Sequence, residues 1–303
     1  MIGIVSPSLA VDVTIEVKGE EVIKTCFHPG GQGVNTARVI LELGEECRLL
    51  GFNGGESGVV LQALLKQAGI PTALIPTEHS TAAVFKITSG YTMQTLLQTL
   101  PPKVSRHEID DLFSSGLLMF FESQVAVING TLPKGMPREI PMKLIRHAKV
   151  HRVPLILDLA PEDLLELLPA GPSFIKPNLD QLRPFFALPP EPSDEDVLGL
   201  AETLRERGAE TVVLSLGHRG AACVSPEGRF WIHPPQLEAL GEPGAGDSMV
   251  GGVAVALAQK KPLPDVLRLG AAAGSASVIR HGLGTAKREI ILRMLDWIEI
   301  RTL

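Results

Sequence analysis

The sequence predicts an α/β protein with a central, mostly parallel sheet flanked by helices. Two observations support this fold class. Short apolar segments typical of buried strands alternate with amphipathic segments that have the period of a helix, and this alternation is typical of parallel sheets covered by helices. The chain has 303 residues, of which 45% are hydrophobic and 20% charged, so it can bury a large core and is neither disordered nor fibrous.

The elements of the main sheet can be placed in chain order. Strands are expected at residues 2–5, 125–129, 155–159, 174–176 and 211–216, and helices at residues 57–68, 137–150 and 193–207. In open parallel sheets a ligand binds beyond the carboxyl ends of the strands. Asn129, Asp158, Asn178 and Ser215 fall at or just after such ends, so we expect them at one edge, where some of them also cap turns.

Two segments alternate apolar and polar residues with the period of a strand. Residues 14–18 and 21–24 flank Gly19-Glu20, and residues 83–87 and 92–97 flank Gly90. A period of two with one apolar face predicts a small sheet that lies over another part of the molecule. An ordinary hairpin at a sheet edge is the alternative.

Charge and cysteine usage exclude several classes of function. The net charge is −6 and there is no run of Lys or Arg, which argues against nucleic acid or an anionic membrane as a partner. The N-terminal residues enter a strand pattern without a preceding basic region, so a cytoplasmic protein is expected. The three cysteines lack C-x-x-C spacing and are expected to be free thiols.

The most informative motif is the glycine-dense segment at residues 241–248, Gly-Glu-Pro-Gly-Ala-Gly-Asp-Ser, which runs into an apolar helix pattern. A glycine turn at a helix N-terminus leaves backbone N–H groups free to surround an anion. Asp247 would lie in the first helical turn, where a carboxylate can accept the proton of a substrate hydroxyl. A capped, buried helix whose glycines only permit tight packing is the alternative.

A second glycine cluster, Pro-Gly-Gly-Gln-Gly-Val-Asn at residues 29–35, also precedes a helix pattern, and two such turns suggest two ligands. Here the chain resembles the PfkB, or ribokinase-like, family of sugar kinases. The segment at residues 244–250 is similar to the C-terminal family signature. Residues 129–135 (Asn-Gly-Thr-Leu-Pro-Lys-Gly), 176–178 (Lys-Pro-Asn) and 215–221 (Ser-Leu-Gly-His-Arg-Gly-Ala) are similar to further family motifs.

The order of these motifs most resembles the branch that contains 1-phosphofructokinase and tagatose-6-phosphate kinase. The resemblance implies a ribokinase-like core formed by residues 1–10, 28–80 and 101–303. It also implies a β lid at residues 11–27 and 81–100, which in the family often forms a dimer contact. It further implies ATP with Mg²⁺ as phosphate donor, the metal being held through phosphates and water, and a small sugar or sugar phosphate as acceptor.

Site residues carry over from the matching positions. Asp247 corresponds to the family's catalytic base, and the amides of Gly244, Ala245 and Gly246 to its anion hole. Gly30, Gly31 and Asn35 correspond to positions that hold sugar hydroxyls. Asp12 corresponds loosely to a sugar-binding acid, and a turn or lid-surface aspartate is the alternative. Ser215, Gly217 and Gly220 are expected near the nucleotide, Gly274 near adenine and Asn178 near the phosphates.

Three departures from the family pattern bear on the substrate. Gln32 stands where sugar-phosphate kinases of this branch carry Lys, and Ala82 stands where they carry an Arg that can grip a phosphate with two hydrogen bonds. Gln181 replaces an acid that helps to organise magnesium and phosphate. Cations nearby in sequence that could compensate are Lys24, His28, Arg38, Lys86 and Lys103, each of which is by default a solvated or helix-face charge.

The expected activity is therefore ATP-dependent phosphorylation of a hydroxyl of a small sugar or sugar phosphate. Two alternatives stay open: a kinase of an unphosphorylated sugar, polyol or nucleoside, and a catalytically weak binding protein of the same fold. Retention of residues 244–247, including the carboxylate of Asp247, argues against the binding protein. A Rossmann dehydrogenase is disfavoured because the glycine fingerprint does not follow the first strand.

Overall fold

The computed structural model describes residues 1–89, 92–99, 101–237, 244–279 and 286–303. Its strands, in chain order, are β1 (Ile2–Val5), β2 (Ala10–Lys18), β3 (Glu21–Gly30), β4 (Cys47–Gly54), β5 (Thr72–Thr77), β6 (Ala82–Ser89), β7 (Thr92–Gln98), β8 (Val125–Gly130), β9 (Leu155–Leu159), β10 (Phe174–Ile175), β11 (Thr211–Ser215), β12 (Ala221–Ser225), β13 (Gly228–His233) and β14 (Glu299–Thr302). Its helices are α1 (Gln32–Glu42), α2 (Gly55–Gln67), α3 (Arg106–Phe121), α4 (Glu139–Val150), α5 (Pro161–Leu167), α6 (Leu179–Leu182), α7 (Asp194–Glu206), α8 (Ala245–Ala258), α9 (Leu263–Val278) and α10 (Arg288–Met294).

The main sheet has ten strands in the order β14-β13-β12-β11-β10-β9-β8-β1-β4-β5. The strands from β11 to β5 in this order run parallel, whereas β12, β13 and β14 are joined by antiparallel pairs. This arrangement confirms the predicted class of a mostly parallel sheet flanked by helices. Because the parallel strands share a direction, their carboxyl ends form one continuous edge.

Alternating side chains of the main sheet enter two separate hydrophobic cores. Ile4, Leu49 and Val127 belong to one core, and the next residues along their strands, Val5 and Leu50, belong to the other. This is the pattern expected when helices cover both faces of a sheet. Helix α8 lies between α1 and α9 and is buried along almost its whole length, which explains its nearly continuous apolar sequence.

The two segments with the strand period form a separate four-stranded sheet in the order β3-β2-β6-β7. Strands β2 and β3 meet at the turn at Gly19-Glu20, as expected, whereas Gly90 lies outside the described residues. Strands β2 and β6 pair in parallel, and the other two pairs are antiparallel. The register places Asp12 opposite both His28 and Val84.

Several element ends differ from the sequence prediction by one or two residues. The helix expected to start at residue 137 starts at Glu139, and the one expected at residue 57 starts at Gly55, directly after β4. Ser193 is the N-cap of α7 rather than its first helical residue, because its side chain accepts a hydrogen bond from the Asp196 amide in a capping box. None of the helices in the described part of the chain combines the length and the apolar character that crossing a membrane requires.

Candidate active site

The carboxyl edge of the main sheet gathers the polar residues that follow the strands. Asn129 lies near the end of β8, Asp158 near the end of β9, and Ser215 ends β11. Asn178 follows β10 and forms an isolated parallel bridge with Ser215. Its side chain caps α6 by accepting hydrogen bonds from the Asp180 and Gln181 amides. These residues therefore surround one region, and some of them also hold local turns, as anticipated.

Two helices begin at glycine turns above this edge. Gly244 precedes α8 with a φ of 113°, and Gly31 precedes α1 with a φ of 110°, a backbone conformation that favours glycine. Neither helix is capped by the side chain of its N-cap residue. In the first turn of α1, however, the Gly33 amide donates a hydrogen bond to the Ser6 hydroxyl at 3.2 Å. Residues 241–243 of the glycine motif lie outside the described residues. Both turns can present backbone N–H groups to an anion.

Asp247 lies in the first turn of α8 and is 7% exposed. The pKa of its carboxyl group is raised to about 6, chiefly by burial; the Asn35 hydrogen bond and the charge of Lys176 oppose this shift, and the charge of Asp158 adds to it. A carboxyl group with a pKa near neutrality is suited to accept a proton at physiological pH.

Two hydrogen-bond chains hold Asp247 against α1. The Asn35 Nδ2 group donates to Asp247 Oδ2 at 2.9 Å. The Thr36 hydroxyl donates to the Asp247 backbone carbonyl at 3.2 Å and accepts from Asn129 Nδ2 at 3.0 Å. The carboxylate and the backbone of Asp247 are thus positioned separately, by neighbouring residues of one helix.

A buried ion pair lies beside this carboxylate. Lys176 Nζ is 3.5 Å from Asp158 Oδ1, and both side chains are largely buried. Burial raises the pKa of Asp158, and the charge of Lys176 opposes the shift. The same ammonium group lies 3.0 Å from the point where a Cβ on Gly246 would be. Lys176 therefore puts a positive charge next to the glycine turn of α8.

A cavity of about 540 Å³ opens at this position. It brings together many of the residues expected to bind the donor or the acceptor: Gln32, Asn178, Ser215, Gly217, Gly220, Ala245, Gly246, Asp247 and Gly274. Apolar residues of β13, α8 and α9, among them Ile232, Met249 and Val278, line another part of its wall. The cavity thus has both polar and apolar walls, a combination that suits a phosphate-bearing ligand with a flat apolar group.

The expected sugar-binding residues Asp12, Gly30, Gly31 and Asn35 do not line this cavity; they form a cluster where the small sheet meets the core. Asp12 is buried, and its Oδ2 accepts a hydrogen bond from Lys86 Nζ at 3.0 Å. A Cβ on Gly30 would be 2.7 Å from the Asp12 Cγ atom, so only glycine leaves room for this carboxylate. Asp12 is thus part of a buried ion pair and not a lid-surface residue.

The positions that depart from the family pattern lie in different environments. Gln32 and Gln181 line both the large cavity and a neighbouring one of about 410 Å³, which also contacts Thr131 and Glu162. Ala82 is buried at the start of β6. Asp180 pairs with Arg183 at 3.0 Å and is largely exposed, and it lines neither cavity. Asp180 therefore does not take the place of the missing acid.

Sequence reasoning did not assign roles to Lys176 or Thr36, and it named Arg38 only as a nearby cation that could compensate for lost phosphate contacts. Lys176 had a signal, because it begins the Lys-Pro-Asn motif at the end of a strand, but only the fold shows that it lies beside Gly246. The Thr36 contact joins residues more than two hundred positions apart, and no local pattern predicts it. Among the described residues there is no group of three His, Cys, Asp or Glu side chains that could hold a metal ion.

Comparison with known proteins gives consistent matches over nearly the whole chain. The family model described as "pfkB family carbohydrate kinase" matches residues 2–290. The chain is 28% identical over 279 residues to a 1-phosphofructokinase of Bacillus subtilis, covering 91% of this chain and 89% of that protein. It is similar to the structure of phosphofructokinase-2 from Escherichia coli in complex with potassium, with a TM-score of 0.89, 27% identity and 98% of each chain covered. The fold is shared with the structure of an Arabidopsis thaliana ribokinase, at a TM-score of 0.74 and 21% identity, with 97% of this chain and 98% of that one covered.

Proposed function

The chain belongs to the pfkB family of carbohydrate kinases, and from this premise we propose that it transfers the γ-phosphoryl group of ATP to a hydroxyl of a small sugar or sugar phosphate, as a 1-phosphofructokinase-like enzyme. A single observation supports this proposal most directly. Asp247 is a buried carboxylate with a raised pKa, it lies at an uncapped helix N-terminus, and it faces a cavity large enough for a nucleotide.

In this proposal Asp247 is the general base. The acceptor hydroxyl approaches its carboxylate, loses its proton as its oxygen attacks the γ-phosphorus, and the bond to the leaving ADP breaks. Asn35 and Thr36 hold the base in place through its carboxylate and its carbonyl. Because these contacts exist before the reaction, little reorganisation is needed when charge develops.

The amides of Gly244, Ala245 and Gly246 form the proposed anion hole for the transferring group. Lys176 adds a positive charge near Gly246. Magnesium, which neutralises phosphate charge, would be held mainly by the nucleotide phosphates and water.

The nucleotide would occupy the cavity of about 540 Å³, with Asn178 near its phosphates, Ser215, Gly217 and Gly220 along it, and Gly274 near adenine. The acceptor would lie between this cavity and the small sheet, near Asp12, Gly30, Gly31, Gln32 and Asn35. We propose that this sheet, residues 11–27 and 81–100, is a lid whose closure excludes water and so limits hydrolysis of ATP.

An unphosphorylated acceptor is the second candidate, and two positions favour it. The buried Ala82 side chain cannot hydrogen-bond a phosphate, and Gln32 at the cavity wall carries no positive charge. Both acceptor classes are compatible with the proposed chemistry at Asp247, so a substrate panel has to separate them.

The lid also has a surface that suits a second copy of this chain. Phe27 and Leu97 lie in one register row across the four strands, Phe27-Val13-Phe85-Leu97. Phe27 is 51% and Leu97 55% exposed. We propose that the protein forms a homodimer through this sheet. Leu97→Asp should then change the sedimentation coefficient of the protein to that of a monomer. A wild-type protein that sediments as a monomer would refute the proposal.

The proposed function is tested by ADP release from Mg-ATP with fructose 1-phosphate, fructose 6-phosphate, tagatose 6-phosphate and their unphosphorylated counterparts, together with polyols and nucleosides. We expect turnover by the wild type and loss of turnover in Asp247→Asn, with nucleotide binding retained. A protein that binds ATP but turns over no acceptor would instead be a binding protein of this fold.

A further inference from the structure

Arg38 lies on the same face of α1 as Asn35, one helical turn later. Its Nη1 group donates a hydrogen bond to Asn35 Oδ1 at 3.4 Å, and its Nη2 group donates to the Pro29 carbonyl at 3.1 Å. One guanidinium group thus connects the backbone before the first glycine turn to the amide that contacts Asp247.

The amide of Asn35 has two different ends, and only one of them suits a carboxylate. Its Nδ2 group faces Asp247 Oδ2 at 2.9 Å. A rotation of the amide by half a turn would place Oδ1 against the carboxylate, and two acceptors would then repel each other. Because Arg38 has only donors, its contact with Oδ1 is compatible with one orientation of the amide.

From this geometry we infer that Arg38 is a positioning residue for the phosphoryl transfer, which holds the Asn35 amide so that its N–H group, and not its oxygen, meets the catalytic carboxylate. This inference rests on the proposed function of Asp247 as general base. It assigns to Arg38 a role through Asn35 and not through contact with the acceptor.

The surrounding charges determine what a loss of Arg38 would do. Asp247 is faced by Asn35 from α1, by Asp158 from β9 and by Lys176 just after β10, and the Asn35 bond lowers its pKa. Arg38 is close to Asp12 of β2, and both Arg38 and Lys86 of β6 lower the pKa of His28 of β3 after the larger effect of burial. Without Arg38, the Asn35 amide could turn, and the pKa of Asp247 would rise.

Two substitutions separate orientation from charge. Arg38→Lys keeps a positive charge but cannot reproduce the two-pronged contact with Oδ1 and the Pro29 carbonyl, and Arg38→Met removes both charge and donors. We expect the acidic limb of the kcat/KM profile to move up by about one pH unit in both variants. Such a shift lowers kcat/KM about fivefold at pH 6 and hardly at pH 9.

Arg288→Met is the matched control. The Arg288 Nη1 group donates to the Leu43 carbonyl at 2.8 Å, just beyond the other end of α1, so this substitution also removes a guanidinium contact to the helix region but leaves Asn35 untouched. Its acidic limb should stay in place. Melting temperatures of all variants show whether a lower rate reflects fewer folded molecules, which would reduce the rate equally at every pH.

A wild-type acidic limb in Arg38→Met would overturn the inference, because the Asn35 amide would then keep its orientation without any donor at position 38. If turnover is too slow to measure, ¹³C titration of the Asp247 carboxyl group makes the same comparison, and an unshifted Asp247 pKa in Arg38→Met would contradict the inference. The proposed function fails separately, through retained ADP release in Asp247→Asn. Loss of release in Asp247→Asn with unshifted Arg38 variants would leave the function standing and remove only this inference.

Discussion

Asp247→Asn should make the protein more stable at neutral pH while it abolishes turnover. The pKa of Asp247 is raised from its ordinary value of 3.8 to about 6, chiefly by burial. At ~1.4 kcal/mol per unit, ionisation of this carboxylate in the folded state costs about 3 kcal/mol of stability above its folded pKa. Asn has nearly the same shape, carries no charge, and can still accept the hydrogen bond from Asn35 Nδ2.

The sign and the pH window follow from the raised pKa. The stability associated with protonated Asp247 is fully present below the unfolded pKa of about 4 and is lost as pH rises through about 6. The free energy of unfolding of Asp247→Asn should therefore exceed that of the wild type by about 3 kcal/mol at pH 8 and by only about 1 kcal/mol at pH 4.5. For a chain of 303 residues, 3 kcal/mol corresponds to about 5 °C in Tm.

Differential scanning calorimetry of wild type and variant at both pH values measures this difference. Asp180→Asn is a suitable control, because the Asp180 side chain is 82% exposed and its substitution should change Tm little at either pH. An Asp247→Asn variant that is less stable than wild type at pH 8, or whose advantage is the same at both pH values, would refute the assignment of a costly buried charge.

Two further predictions concern the cluster between the small sheet and the core. Gly30→Ala should destabilise the protein by about 1–3 kcal/mol and raise the KM for the acceptor more than the KM for ATP, because the new Cβ would lie 2.7 Å from Asp12 Cγ. The control is Gly199→Ala, which should not destabilise the protein because this helix position has open space around it. Lys86→Met should lower the free energy of unfolding, measured by urea denaturation, by about 3–5 kcal/mol because it leaves the buried Asp12 carboxylate without its cation. Adding Asp12→Asn to this variant should restore much of the lost stability. An unchanged midpoint for Lys86→Met would show that the ion pair does not contribute to stability.

Much of the architecture could be predicted because it depends on local patterns. The strand at residues 2–5 and the helix after residue 193 have clear periods and boundaries, and the alternation about Gly19-Glu20 marks two strands of the small sheet. The antiparallel strands β12 to β14 were not predicted. The last of them pairs with β13 across some seventy residues of sequence, and such pairing has no local signature.

For the candidate site, the sequence by itself determined the parts that chemistry requires at fixed spacing: the two glycine turns, the carboxylate in the first turn of α8 and the asparagine in the first turn of α1. The tertiary structure alone decided how these parts are arranged. It placed Asn35 against Asp247, Arg38 against Asn35, Lys176 beside Gly246, and Asp12 in a buried pair with Lys86. The physical reason is that a turn or a cap depends on neighbouring residues, whereas burial, pKa and hydrogen-bond partners depend on side chains brought together from distant parts of the chain.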